Sequence, residues 1–169
     1  HEAAQCGVRY CIQHPWKAHV VNVTGTLNVL WAAKQAGVKK LVYASSSGIF
    51  GHPAYLPMDE KHPTNPNSPY GVTKLAAEKY CVAFHEVYGL NTVSLRYFSV
   101  YGPRGRPDQV IYAFTSSIFR GERPIIYGDG TQTRDFTYVS DVVEATLLAA
   151  ECDDVGGEVF NIGFGRRFS

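Results

Sequence analysis

Lys40-Leu41-Val42-Tyr43-Ala44, running directly into Ser45-Ser46-Ser47, decides the fold. An apolar run that ends on a hydroxyl cluster reads as a buried β-strand delivering serines to its carboxyl end. Downstream, Ser68-Pro69-Tyr70-Gly71-Val72-Thr73-Lys74 reads as a proline-started helix with Tyr70 and Lys74 one turn apart on the same face. A phenol, an ammonium one turn along and a serine from a strand end make a proton-transfer set. The ammonium stabilises the phenolate and lowers the phenol's pKa, and the serine relays or holds a proton. Such a set takes a proton from a hydroxyl while hydride leaves the carbon beneath it.

Working outward, residues from about Trp16 to Ala36 repeat Val20, Val23, Leu27, Leu30 and Trp31 at helical spacing, and Gly37 ends the pattern. Between Gly51 and Pro69, five prolines with Asn65 and Asn67 require a loop. A loop of that length in a compact domain is more often functional than idle. The helix from Tyr70 to about Tyr88 is expected to bury Ala76, Tyr80, Ala83, Phe84 and Val87, with Gly89 as its C-cap. Asn91 to Tyr97 is the next strand, and Phe98 to Asp108 is a Gly/Pro/Arg loop. Val110, Ile111, Phe114 and Ile118 mark a helix ended by Gly121, and Pro124 to Tyr127 is a short strand turned by Gly128-Asp129-Gly130. Thr133 to Val139 is extended, Ser140 caps a helix carrying Val142, Val143, Leu147 and Ala150, and Glu158 to Gly163 is a last strand. Helix alternating with strand is the rhythm of an α/β fold with a parallel sheet, whose ligands sit outside the carboxyl ends of the strands. The serines after Ala44 and Ser99 after Tyr97 both fall at that edge.

The 169 residues are enough for one domain with a real core, and the apolar fraction of 45% is that of an ordinary globule. With a formal net charge of +1 and no basic block, composition supports neither nucleic-acid nor membrane-surface binding. Cys6, Cys11, Cys81 and Cys152 lie far apart without a C-x-x-C pair, so reduced cytosolic thiols are expected and no metal site is. No apolar run approaches the ~20 residues of a membrane span, and the start of the chain lacks the features of a signal peptide. A cytoplasmic domain is expected. Both ends look cut, because His1-Glu2-Ala3-Ala4-Gln5 resembles a strand-to-helix junction and Ser169 a helix start.

An ordered series of motifs carries a resemblance over nearly the whole chain: His1-x-Ala3-Ala4-Gln5, Asn22-Val23-x-Gly25-Thr26, Ser45-Ser46-Ser47, Ser68-Pro69-Tyr70-x-x-x-Lys74, Leu95-Arg96-Tyr97-Phe98, Tyr101-Gly102-Pro103-Arg104, Tyr127-Gly128-Asp129-Gly130, Arg134-Asp135-Phe136, Asp141 and Asn161-x-Gly163. The chain resembles an extended short-chain dehydrogenase/reductase of the NAD-dependent epimerase/dehydratase family that acts on nucleotide sugars. The resemblance implies a partial Rossmann-like, doubly wound parallel sheet with part of a small C-terminal substrate region. It assigns residues 1–100 and 136–163 mainly to the Rossmann-like core and 101–135 mainly to the substrate-binding insertion. The family's Gly-rich phosphate turn, which holds the pyrophosphate at a helix N-terminus, has no match here, so weak NAD binding by these 169 residues alone is expected.

The resemblance makes Tyr70 the acid/base, Lys74 its partner and a ligand of the nicotinamide ribose, and Ser46 the catalytic hydroxyl. Core packing for Tyr70, a solvated lysine and a plain turn serine are the competing readings. Ala3, Ala4, Asn22 and Tyr97 resemble further NAD contacts, with close packing or a surface amide as alternatives. On the substrate side stand Ser46, Ser47, Ser99, Tyr127 and Arg134, the last meeting a diphosphate with its charged fork and Tyr127 lying against a uracil face. Strand packing competes for Tyr127, and an ion pair to Asp129 or Asp135 competes for Arg134. Ser99 stands where many sugar epimerases carry Asn, and some uronate epimerases carry a small hydroxyl residue. Arg104 and Arg106 are further anion candidates or solvated loop charges.

Three activities compete. A UDP-hexose 4-epimerase works through a transient 4-keto sugar. A 4,6-dehydratase needs an Asp-Glu pair just after the catalytic hydroxyl, where this sequence has Ser47 and Gly48, which favours epimerisation. A UDP-glucuronate 4-epimerase remains the near alternative. A different class is a catalytically incomplete chain that binds or dimerises, since members of the family commonly pair helices corresponding to 16–36 and 70–88 into a homodimer.

Overall fold

The computed structural model describes residues 1–169, and the alternation of side chains along its strands accounts for its layers. In β1 (Lys40–Ser46), Leu41 and Tyr43 face one side and Val42 the other. β2 (Asn91–Tyr97) runs parallel to it, with Lys40 opposite Asn91 and Ser46 opposite Tyr97. Two short strands, β3 (Ser99–Tyr101) and β4 (Phe136–Tyr138), form a separate parallel pair. β5 (Val159–Ile162) pairs parallel to β2, so the main sheet has the order β1-β2-β5.

The chain enters through α1 (Val8–Gln13) and α2 (Pro15–His19), and a π-helical turn at Val20–Thr24 leads into α3 (Gly25–Gln35). α4 (Pro69–Tyr88) follows β1, α5 (Val110–Phe119) follows β3, and α6 (Val139–Glu151) follows β4. Leu30 and Ala33 of α3 and Ala77, Cys81 and Phe84 of α4 pack on Leu41 and Tyr43. On the other face Ala149 of α6 meets Val93 and Leu95, with Val42 and Phe160 beside them. Helices on both faces of a parallel sheet are the doubly wound arrangement expected.

The differences from expectation are instructive. The long first helix is interrupted by its π turn, and it buries Ala18, Asn22, Val23, Thr26 and Leu30 while Val20 and Trp31 face outward. α4 buries Thr73, Lys74, Ala77, Glu78, Cys81 and Phe84; of the expected apolar stripe only Phe84 is buried, and Tyr80 and Val87 are exposed. The polar groups win because each has a partner inside: Lys74 a carbonyl, Glu78 a guanidinium. Pro124 to Tyr127 is not a strand. Ile125, Ile126 and Tyr127 are exposed with no strand alongside, and β-propensity without a partner does not make one. α6 begins at Val139, and the Ser140 hydroxyl donates to Asp141 Oδ1 at 3.1 Å instead of capping. β1 runs on through Ser45 and Ser46, later than its apolar run suggests. Gly89 does close α4 in the left-handed conformation, φ 67°.

Candidate active site

The start of α4 brings two pieces of the site together. Ser68 Oγ accepts the Gly71 N–H at 3.2 Å and Pro69 supplies the first helical residue, so the helix is stopped and aimed at this point. Gly71 has no side chain to spare: a Cβ there would collide with the Gly48 carbonyl oxygen. Gly48 belongs to the short 3₁₀ turn Ser47–Ile49, which Ser46 caps by accepting the Gly48 N–H at 3.1 Å. The first turn of α4 thus rests on the turn that follows Ser46. Its hydroxyl proton remains free to act on the Tyr70 phenol, whose pKa it lowers.

Burial is nevertheless the larger influence and pushes the Tyr70 phenol up. Against it act the Ser46 hydroxyl and, more weakly, Arg106. Lys74 is occupied elsewhere. It is buried, donates to the Ala44 carbonyl at 2.5 Å, and holds its ammonium 4.8 Å from the centroid of the Tyr43 ring. Burial pushes its own pKa down.

Ser46, Tyr70, Lys74, Ala4, Tyr97 and Ser99 line one cavity of about 310 Å³ at the carboxyl end of the sheet. The Tyr97 hydroxyl lies 2.7 Å from Thr146 Oγ1, and burial pushes that phenol up to about 12. Other expected residues are elsewhere. Ala3 is exposed and Ser47 sits in the 3₁₀ turn, both outside the cavity lining. Asn22 is fully buried: its amide donates to the Gln5 carbonyl and to Thr73 Oγ1, and its oxygen accepts the Gln5 N–H at 2.7 Å. Any part it has in a cofactor site is therefore indirect, through holding the Ala3–Gln5 segment. Tyr127 is exposed beneath the Arg9 guanidinium, 4.1 Å from its centroid. Arg134 is exposed, donates to the neighbouring Thr133 carbonyl and makes neither of the ion pairs considered for it. A larger hollow of about 630 Å³ on the outer face of α6 is lined by Arg104, one of the two further anion candidates, and by none of the other expected site residues.

Sequence reasoning left Arg106 open between an anion contact and a solvated loop charge, and gave Tyr43, Glu78 and Arg96 no role of their own. Arg106 lines the cavity although it also pairs with Asp108, at 2.9 Å. Glu78 and Arg96 form a buried ion pair at 2.8 Å directly behind the site. The available signal was a carboxylate one turn beyond Lys74 on the same helix face.

Residues 1–163 match the model of the NAD dependent epimerase/dehydratase family. The chain belongs to this family. Relatives include a "Putative UDP-glucose 4-epimerase" of Methanocaldococcus jannaschii, 43% identical over 100% of this chain and 56% of that protein. A "UDP-glucuronate 4-epimerase" of Thermodesulfobacterium geofontis is 44% identical over 99% of this chain and 51% of that protein. Among solved structures, UDP-glucuronic acid 4-epimerase from Bacillus cereus, in complex with UDP-glucuronic acid and NAD, superposes with a TM-score of 0.93 at 37% identity, over 99% of this chain and 54% of that one. The chain spans about half the length of the curated relatives it matches.

Proposed function

We propose that the full-length protein is an NAD-dependent nucleotide-sugar 4-epimerase of the UDP-glucose/UDP-galactose type. One observation carries the reading: Ser46, Tyr70 and Lys74 share a cavity, while the two positions after Ser46 are Ser47 and Gly48 rather than the acid and base that loss of water needs. The cavity fits the nicotinamide end of NAD. Ala4 presents only a methyl group there, and the Lys74 ammonium keeps two N–H donors beyond the one given to Ala44. Ala4, Tyr97, Tyr70 and Lys74 would hold it, with Ala3 contributing from outside the cavity lining and Asn22 acting through the Gln5 backbone.

Bound NAD supplies an acceptor and later a donor of hydride. Tyr70 takes the proton of the sugar 4-hydroxyl and returns it to the 4-oxygen after the 4-keto sugar has turned over. Ser46 hydrogen-bonds the same oxygen and relays the proton. A phenol that burial holds neutral acts as a base only with positive charge nearby, and Lys74 is the cation one turn away. Ser47, Ser99, Tyr127 and Arg134 enter the proposal on the substrate side, the last two as contacts of the nucleotide, which extends beyond the sugar. Within this reading, residues 1–100 and 136–163 serve mainly the cofactor side and 101–135 mainly the substrate.

A second substrate has its own support. Arg106 puts a guanidinium on a cavity that also contains the small Ser99, a combination suited to the carboxylate of UDP-glucuronate. We also propose a homodimer through the helical segments 16–36 and 70–88, supported by the exposed Trp31, Tyr80, Val87 and Tyr88 on their outer faces. No helix is long and apolar enough to cross a membrane, and a cytoplasmic location fits the four free cysteines.

The deciding experiment incubates the full-length protein with UDP-glucose and, separately, UDP-glucuronate, and follows each 4-epimer by chromatography. Conversion that disappears in Tyr70→Phe supports the assignment. Unchanged conversion in that variant refutes it.

A further inference from the structure

The Glu78 carboxylate lies entirely out of solvent, and its contacts lead to two strands of the site. Oε2 accepts from Ser45 Oγ at 2.6 Å and from Arg96 Nε at 3.1 Å, and Oε1 accepts from Arg96 Nη2 at 2.8 Å. Arg96, also buried, uses its remaining arm to donate from Nη1 to the Glu60 carbonyl at 3.1 Å, and its guanidinium lies 5.2 Å from the centroid of the Phe50 ring. The Glu60 carboxylate in turn accepts the Asn161 N–H at 2.8 Å, and Asn161 Nδ2 donates to the Met58 carbonyl. Two strands, one helix and the long loop therefore meet at one ion pair, and β5 joins them through Glu60.

The residues involved are each next to a group of the reaction. Ser45 immediately precedes Ser46, Arg96 immediately precedes Tyr97, and Glu78 lies one turn beyond Lys74. Side chains alternate across a strand, so fixing Ser45 on the α4 side fixes the roll of the strand end and with it the direction in which Ser46 leaves the other face. The same argument links Arg96 to Tyr97. Stability does not by itself explain such a pair, because a buried ion pair replaced by apolar groups of similar volume often leaves a protein as stable as before.

We infer that Glu78, Arg96 and Ser45 are positioning residues that hold Ser46, Tyr97 and the Tyr70–Lys74 helix face in one mutual geometry. The inference rests on the epimerase reading above. It accounts for three buried polar residues in one place where apolar packing would serve the core equally well.

The test uses the full-length protein and three variants: Ser45→Ala, the double replacement Glu78→Met with Arg96→Met, and Glu78→Gln, which keeps an acceptor for Ser45. In Ser45→Ala and the double variant, kcat is expected to fall roughly tenfold to hundredfold with KM and melting temperature little changed, as displaced reacting groups require. Glu78→Gln recovers part of the loss. Tyr70 ionisation, followed by NMR of ring-labelled tyrosine, moves further up in Ser45→Ala as the Ser46 hydroxyl, which lowers it, is drawn away. A Ser45→Ala kcat within about twofold of wild type overturns the inference, as does a folded double variant that keeps full kcat. If the double variant does not fold, Ser45→Ala alone decides. Should the wild-type protein interconvert no nucleotide sugar, the epimerase reading has failed, and an unmoved Tyr70 ionisation in Ser45→Ala then overturns the positioning role independently.

Discussion

The Lys74 ammonium sits over the ring of Tyr43, 4.8 Å from its centroid, while donating to the carbonyl of the very next residue, Ala44. The strand thus offers the lysine both a π face and a backbone acceptor, and together they decide where a buried cation rests. The Tyr43 hydroxyl contributes nothing visible to this. It is buried without a partner at bonding distance, the nearby Thr26 hydroxyl donating instead to the Asn22 carbonyl.

Tyr43→Phe keeps the face and removes the unpartnered hydroxyl, so it should match or exceed wild-type stability by up to about 1 kcal/mol. Tyr43→Leu removes the face and leaves a void, so it should cost about 2 kcal/mol or more. Urea unfolding midpoints measure both. Equal stability of the two variants would contradict the role given to the ring.

Stability should fall in alkali. Tyr97 and Cys81 are pushed up to about 12 by burial, and Tyr43 and Tyr70 are also raised. A raised folded-state pKa gives stability that is complete below the unfolded value and is lost as pH rises through the folded one. The loss should therefore develop from about pH 9, the unfolded value for the thiol, towards about 12. Lys74, lowered by burial, works the other way, but it is one group against four. Denaturant midpoints between neutral and strongly alkaline pH, read alongside phenolate absorbance, follow the process. A flat profile would mean that these groups titrate equally in the folded and unfolded chain.

Arg106→Met separates the two candidate sugars. Loss of a charge-assisted hydrogen bond is worth roughly 1.5–3 kcal/mol, so kcat/KM for UDP-glucuronate should fall by roughly tenfold to hundredfold and that for UDP-glucose much less. The exposed pairing with Asp108 competes only weakly for the guanidinium. Equal loss with both sugars would remove Arg106 from carboxylate recognition.

The outer faces of α3 and α4 make a further prediction. Val87 is 69% exposed and Trp31 46%, and Trp31 stacks edge-on against Tyr88 at 5.9 Å. Light scattering on the full-length protein should give the mass of a dimer, and Val87→Glu should shift it toward the monomer without lowering secondary structure. A wild-type monomer at micromolar concentration would reject the interface.

What could be read beforehand divides along physical lines. The strand at Lys40–Ser46 was legible from the continuous apolar run Leu41–Ala44, that at Asn91–Tyr97 from its β-branched and aromatic residues, and α4 from Pro69 and Gly89 at its ends. Its buried face was not. Hydrophobic periodicity assigns Tyr80 and Val87 to the core, and it has no means of knowing that Lys74 and Glu78 find partners on β1 and β2. In the same way, Ser46, Tyr70, Lys74, Tyr97 and Ser99 could be named in advance as a set meeting at one cavity, because each is tied to the end of an element. Tyr127 and Arg134 stand on a segment with little regular structure, where sequence spacing says nothing about reach. Asn22 resembled a cofactor contact with a surface amide as the alternative, and its burial could not be foreseen because its partners, Gln5 and Thr73, come from distant parts of the chain.

Gly71 and Gly48 meet backbone to backbone, with no side chain between the helix that carries Tyr70 and the turn that follows Ser46. Repacking of neighbouring side chains therefore has little leverage on the spacing of these two groups. Mutational drift in the surrounding core can proceed while the gauge between serine and tyrosine stays constant, and a side chain at Gly71 opens it. The tolerance of the site to variation around it, and its intolerance at Gly71, have the same origin.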